Sequence, residues 1–161
     1  MLLVALALVF GFVRPFVVEA FYIPSESMAP TLEVGDRVLV NKFVYRFFEP
    51  ERDDVVVFRS TEGGDEDLIK RVVGLPGDHV AIYNGETFVN FKRLEEPYVD
   101  EGDLPENEPL AATTVPKGKV FVMGDNRTNS RDSRFFGPVS IESIKGEAFV
   151  TFWPLDRIRL L

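Results

Sequence analysis

The chain has 161 residues, 18 Lys and Arg against 26 Asp and Glu, a formal net charge of −8 and 45% apolar residues. That length suits one domain with a tail or anchor and excludes two large ones, and the apolar content excludes a chain disordered throughout. The acidic balance repels phosphate backbones, so nucleic acid is not an expected partner.

Cysteine is absent and His79 is the single histidine. Disulfides, thiolate chemistry and multi-histidine or cysteine-ligated metal sites are thereby removed, no metal or other cofactor is expected, and a Ser-His-Asp triad would have to pass through His79.

Residues 1–13, MLLVALALVFGFV, carry no charge, and apolar character resumes after Arg14-Pro15 and continues to Tyr22. A spanning helix needs roughly 20 residues, and thirteen give only about 20 Å. Either the helix continues through Arg14 to about Tyr22, with the guanidinium snorkelling to a head group, or the span begins upstream of Met1. A cleaved secretory signal would open with basic residues and end in small ones, whereas Arg14, Pro15, Phe16 and Glu19 stand where the cut would fall. We expect an uncleaved anchor over residues 1–22, with the lipid bilayer as a partner; a buried core helix is the alternative. No Lys or Arg precedes the segment to orient it.

From residue 23 onward the pattern changes to short alternating runs broken by Gly, Pro and Asp, so residues 23–161 are expected to form a β-rich domain. Expected strands are Arg37–Phe47, Asp54–Arg59, Leu68–Val73, His79–Tyr83, Thr87–Phe91, Lys119–Met123 and Glu147–Phe152. Tyr83-Asn84-Gly85-Glu86 predicts a hairpin with a type I′ turn, because Asn-Gly accepts positive φ. Gly74–Asp78 reads as a turn. The acidic, proline-containing stretch 92–117 reads as a long surface excursion.

Three stretches carry polar residues that strand grammar does not require. In the first, Ile23-Pro24-Ser25-Glu26-Ser27-Met28-Ala29-Pro30-Thr31-Leu32, two serines lie between prolines that stiffen the chain and leave backbone groups free for another strand. In the second, Asp67-Leu68-Ile69-Lys70-Arg71-Val72-Val73, alternation puts Lys70 on one face with Leu68 and Val72. A lysine among apolar groups can lose enough basicity to act as a neutral amine; alternatively, Lys70 or Arg71 guards an exposed sheet edge. The third runs from Met123 to Arg134, where Asn126, Arg127, Asp132 and Arg134 are either a solvated loop or a pinned network behind a site.

Together, Ser-x-Ser-Met-x-Pro-Thr-Leu, Lys-Arg-Val-Val-Gly-x-Pro-Gly-Asp and Gly-Asp-Asn-Arg-x-Asn-Ser-x-Asp-Ser-Arg, in this order after an apolar leader, resemble bacterial type I signal peptidases. The resemblance extends from the leader to Arg134. It implies a mainly β fold, an antiparallel sheet or partly open barrel of the signal-peptidase and LexA-like type, behind an N-terminal transmembrane helix. It further implies a single-pass enzyme of the cytoplasmic membrane, catalytic domain outside, that cuts signal peptides from exported preproteins after Ala-x-Ala-like sites.

By the same resemblance Ser27 is the nucleophile and Lys70 the base, a pairing that needs no histidine. Ser25 Oγ and the Ser27 N–H would form the oxyanion hole. Ser130 would hydrogen-bond and aim the lysine, Asp132 and Arg134 would be a supporting ion pair, and Asp125 and Arg127 scaffold. An extended substrate would lie between Ile23–Ser25 and Asp67–Ile69, with Ile23, Pro24, Met28, Leu32, Val38, Leu68 and Ile69 at or beside its pockets. Thr128 departs from the Asp of many members, the basic leader is missing, and the stretch before the third block is short for a large cap subdomain. A LexA-type repressor would need a basic DNA-reading head that the chain lacks. A membrane-tethered binding module without catalysis, using the acidic stretch, is the alternative from another functional class.

Overall fold

The computed structural model describes residues 17–100 and 109–161. Among these, the strands are β1 (Val18–Tyr22), β2 (Arg37–Asn41), β3 (Val55–Arg59), β4 (Asp67–Gly74), β5 (His79–Tyr83), β6 (Glu86–Val89), β7 (Lys92–Arg93), β8 (Leu110–Thr114), β9 (Lys119–Met123), β10 (Val139–Ser140), β11 (Ile144–Trp153) and β12 (Arg159–Leu160). The one α-helix among the described residues, α1, is the short turn Ser133–Phe136.

The larger sheet has the order β1-β2-β11-β3-β4-β9-β10, with β12 added to β11; the smaller has the order β7-β6-β5-β8. Every ladder is antiparallel. Among the described residues β1 and β10 end the larger sheet without pairing to each other, so it is not a closed barrel.

Both faces of the central strands are covered. Val55, Val57 and Ile69 pack with Ile23, Met28, Leu32, Val38, Val40 and Ala148 on one side. Val56, Phe58 and Val72 pack with Val120, Val122 and Val139 on the other, where Leu68 joins them. A strand buried on both faces reads as a continuous apolar run, as Val55-Val56-Val57-Phe58 does. Each such side chain contributes about 1.5–3 kcal/mol on burial. β4 lies between β3 and β9, so Lys70 and Arg71 do not guard a sheet edge.

Several boundaries differ from the sequence expectation, each for a local reason. Residues 1–16 of the expected anchor lie outside the described residues, but its last five form β1, which pairs with Arg37–Asn41 and is pinned by a 2.9 Å Lys42–Glu19 ion pair. The anchor reading therefore cannot extend to Tyr22. No helix among the described residues is long and apolar enough to cross a membrane. The strand expected to reach Phe47 stops at Asn41, whose Oδ1 accepts the Phe43 N–H at 3.0 Å and turns the chain.

β6 ends at Val89, because Asn90 and Phe91 adopt φ of 52° and 67°. β11 is longer than expected: it pairs with β3 along its first half and with β2 from Glu147 to Trp153, with register shifts between Ile144 and Gly146, Ala148 and Val150, and Thr151 and Trp153. The hairpin at Asn84-Gly85 has φ of 51° and 78°, as a type I′ turn requires. The expected excursion at 92–117 contains β7 and β8; Leu110–Thr114 pairs with β5 at one end of the smaller sheet.

Candidate active site

Ser27 sits in a single 3-10 turn, Glu26–Met28, entered from an extended Ser25 at φ −136° and ψ 160°. Proline at position 24 holds the chain extended before the turn. Upstream, the Ile23 N–H donates to Asp36 O at 2.9 Å and the Ile23 carbonyl accepts the Gly35 N–H at 3.0 Å. Downstream, Met28 and Leu32 are wholly buried in the core. The turn is thus clamped at both ends, and the Ser27 carbonyl is fixed by the Asn126 N–H at 3.2 Å.

Lys70 lies at the middle of β4, 3% exposed, with its side chain on the apolar face that alternation predicted. Its Nζ donates to Ser27 Oγ at 2.5 Å, and the Ser25 hydroxyl donates to the same oxygen at 3.3 Å. Burial lowers the amine to about 8; the charges of Asp132 and Asp125 pull it back up, and Arg134 pushes it down. Burial wins, so roughly one-tenth of Lys70 is neutral at pH 7.

The stretch after β9 forms the wall behind this pair. Asp132, wholly buried, accepts the Gly124 N–H at 3.0 Å, the Ser130 hydroxyl at 2.7 Å and two Arg134 nitrogens at 2.9 Å. It also starts α1 by accepting the Arg134 N–H at 3.2 Å. Gly124 is where the wall meets the serine turn: a Cβ there would lie 2.2 Å from Ser130 Oγ and 2.3 Å from the Ser27 carbonyl oxygen. Asp125 takes a two-pronged contact from Arg71, at 2.9 and 2.6 Å.

Some expected residues fall elsewhere. Ser130 is buried beside the site, but its hydroxyl donates to Asp132, with no bond to Lys70 among the described residues. Ile23, Met28, Leu32 and Val38 have 1% exposure or less and belong to the core cluster beneath the serine turn. Pro24 is exposed, Leu68 half-buried and Ile69 9% exposed, which leaves these three with surface beside the site. Arg127, expected as scaffold, holds the Gly124 carbonyl at 3.0 Å and pairs with Glu96. His79 is on the surface of the smaller sheet, bonded to Thr114 at 2.8 Å.

The known proteins that this chain resembles agree with one another. The profile of the family described as "Signal peptidase, peptidase S26" matches residues 1–153. The chain belongs to that family. It is 44% identical over 154 residues to a probable signal peptidase I-2 of Synechocystis sp., covering 92% of this chain and 69% of that protein. It is 45% identical over 153 residues to a signal peptidase I of Leptolyngbya laminosa, covering 91% and 74%. A crystal structure of a signal peptidase I from Enterococcus faecalis superposes with a TM-score of 0.54 at 33% identity, covering 62% of this chain and 97% of the other.

For this member of the signal peptidase family, sequence reasoning missed Arg71, Gly124, Glu96 and Tyr98. Arg71 carried a signal: two adjacent charges in an apolar strand point to opposite faces, so in a strand covered on both sides each needs its own partner. Glu96 and Tyr98 carried none, hidden in a stretch whose composition is that of a solvated loop.

Proposed function

We propose that the protein is a membrane-held serine endopeptidase that removes N-terminal signal peptides, with Ser27 as nucleophile and Lys70 as general base. The contact at 2.5 Å between a buried amine and a buried hydroxyl carries the reading. A serine is a weak nucleophile until a base within hydrogen-bond reach takes its proton, and only the neutral amine can do so. Ser27 attacks the scissile carbonyl, its proton passes to Lys70, and Lys70 then returns it to the leaving amine. Water repeats the sequence on the acyl-enzyme.

The developing oxyanion would be met by the Ser27 N–H, which lies in the first turn of its 3-10 segment, and by the Ser25 hydroxyl, already 3.3 Å from Ser27 Oγ. Asp132 and Arg134 fix the loop behind the amine, with Ser130 braced against Asp132. For the substrate, β4 pairs with β3 along its whole first half, whereas β9 joins it only from Arg71 on. Among the described residues Asp67–Ile69 therefore keeps one backbone edge free beside Lys70, where an extended Ala-x-Ala segment can add as a strand. Pro24, Leu68 and Ile69 would border its small pockets. Residues upstream of Val18 would hold the domain at the outer face of the cytoplasmic membrane, in keeping with their uncharged sequence.

The test is incubation with a synthetic precursor bearing an Ala-x-Ala site, with product masses locating the cut and kcat/KM followed against pH. An amine titrating at about 8 is roughly one-tenth neutral at pH 7, so kcat/KM should rise about tenfold from pH 7 to its plateau. A flat profile over this range, or no cut after the second alanine, would overturn the proposal.

A further inference from the structure

We infer that Tyr98 is a positioning residue, whose ring, anchored by the buried Glu96–Arg127 pair, covers the Arg71 guanidinium and thereby holds it on Asp125, the carboxylate that acts on Lys70. The inference rests on the reading of Lys70 as the base. It begins from three contacts that close on one another. The Tyr98 ring lies 4.0 Å from Arg71 Cζ, the Tyr98 hydroxyl donates to Asp53 Oδ1 at 3.0 Å, and Arg71 donates to the Asp53 carbonyl at 2.9 Å. Asp53 itself holds a φ of 74°, which a non-glycine residue keeps only when its surroundings impose it.

The segment that brings Tyr98 here is bordered by open space on two sides. A cavity of about 300 Å³ borders Leu94, Glu96, Pro97 and Val99, and another of about 430 Å³ borders Pro97, Tyr98 and Val99. Between these spaces Glu96, with its side chain 9% exposed, grips Arg127, 1% exposed, and Arg127 in turn holds the Gly124 carbonyl and Thr87. The strap therefore joins the smaller sheet to the wall of the site through one ion pair and one ring.

The ring acts on Lys70 through Asp125: by holding Arg71 on Asp125 it offsets a carboxylate that favours the ammonium form. The groups facing Lys70 are the Ser27 hydroxyl and, from the stretch after β9, Asp125, Asp132 and Arg134. Those facing Tyr98 are Arg71, Asp53, Glu96 and Arg127.

The test compares pH profiles of kcat/KM for the full chain, Tyr98→Leu and Tyr98→Phe on the precursor peptide. Tyr98→Leu should move the acid midpoint up by about one pH unit, with a tenfold loss at pH 7 that disappears by pH 10. Tyr98→Phe keeps the ring over Arg71 and should keep the parent's midpoint. A folded Tyr98→Leu whose midpoint stays put, whether or not its plateau falls, overturns the inference. If that variant does not fold, Glu96→Gln, which loosens the strap while leaving the ring, should shift the midpoint in the same direction. An unmoved midpoint there, or failure of both variants to fold, would assign the strap to stability alone. A parent enzyme without an acid limb near pH 8 would instead overturn the reading of Lys70 itself.

Discussion

Lys70→Met should lose a factor of about 10³–10⁴ in kcat/KM and at the same time become more stable at neutral pH. The first half follows from removing the base that contacts Ser27 Oγ. The second follows from the sign of the shift. The amine is lowered to about 8 in the folded chain and stands near 10.4 when unfolded, so between those values the unfolded chain binds more protons and stability rises with pH. Below pH 8 the parent carries the full cost of a buried ammonium, about 3 kcal/mol, and methionine of similar length does not.

Urea titrations at pH 7 and above pH 10.5 read this directly, with the advantage of Lys70→Met largest at the lower pH and shrinking as the parent's amine becomes neutral. Ser27→Ala should lose at least as much activity, and the double variant no more than the worse single one, because the two groups act as a unit. Additive losses, or a Lys70→Met enzyme with a tenth of the parent's rate, would show that another base serves.

Gly124→Ala should cost about 10² or more in kcat through a single methyl group that touches no substrate. The added carbon would lie 2.3 Å from the Ser27 carbonyl oxygen and 2.5 Å from Ser130 Cβ. A surface side chain could turn aside, but the nearest atoms here are backbone and a buried serine, so the turn carrying the nucleophile has to shift. The Asn126 N–H bond that fixes Ser27 at 3.2 Å would be strained or lost with it. Misplacing a nucleophile by about 1 Å costs on the order of 10² in rate, and overpacking a buried site costs about 1–3 kcal/mol. Single-turnover rates with the precursor peptide, set beside thermal melts, separate the two. A Gly124→Ala enzyme within threefold of the parent would mean that the turn has room to move.

What the sequence made legible was local or chemically forced. Lys70 among Leu68 and Val72 is an anomaly within one strand, but the residues alone left a loop serine and an edge lysine open, and the pair was named through the resemblance of the three motifs to signal peptidases. The alternating runs gave the β class, and Asn84-Gly85 gave its hairpin. Alternation says which way a side chain faces but not which distant segment covers it. Hence Met28, Leu32 and Val38 were placed at or beside the pockets with no sign that they enter the core, and Asp125 was given no partner when its cation, Arg71, lies fifty-four positions away. Glu96 and Tyr98 were lost for the opposite reason: their surroundings are acidic and proline-containing, and only the third dimension brings them against Arg127 and Arg71.

The seating of β1 has a consequence for reach. Val18–Tyr22 is zipped to Arg37–Asn41, Ile23 is tied to Asp36 and Gly35, and Ser27 follows after four residues. A chain so fastened cannot be paid out or drawn in, and even fully stretched the nine steps from Val18 to Ser27 would cover only about 30 Å. If residues ahead of Val18 are held at a membrane, as proposed above, they would be the fixed end of a short, inextensible leash that sets the height of the Ser27 turn above it.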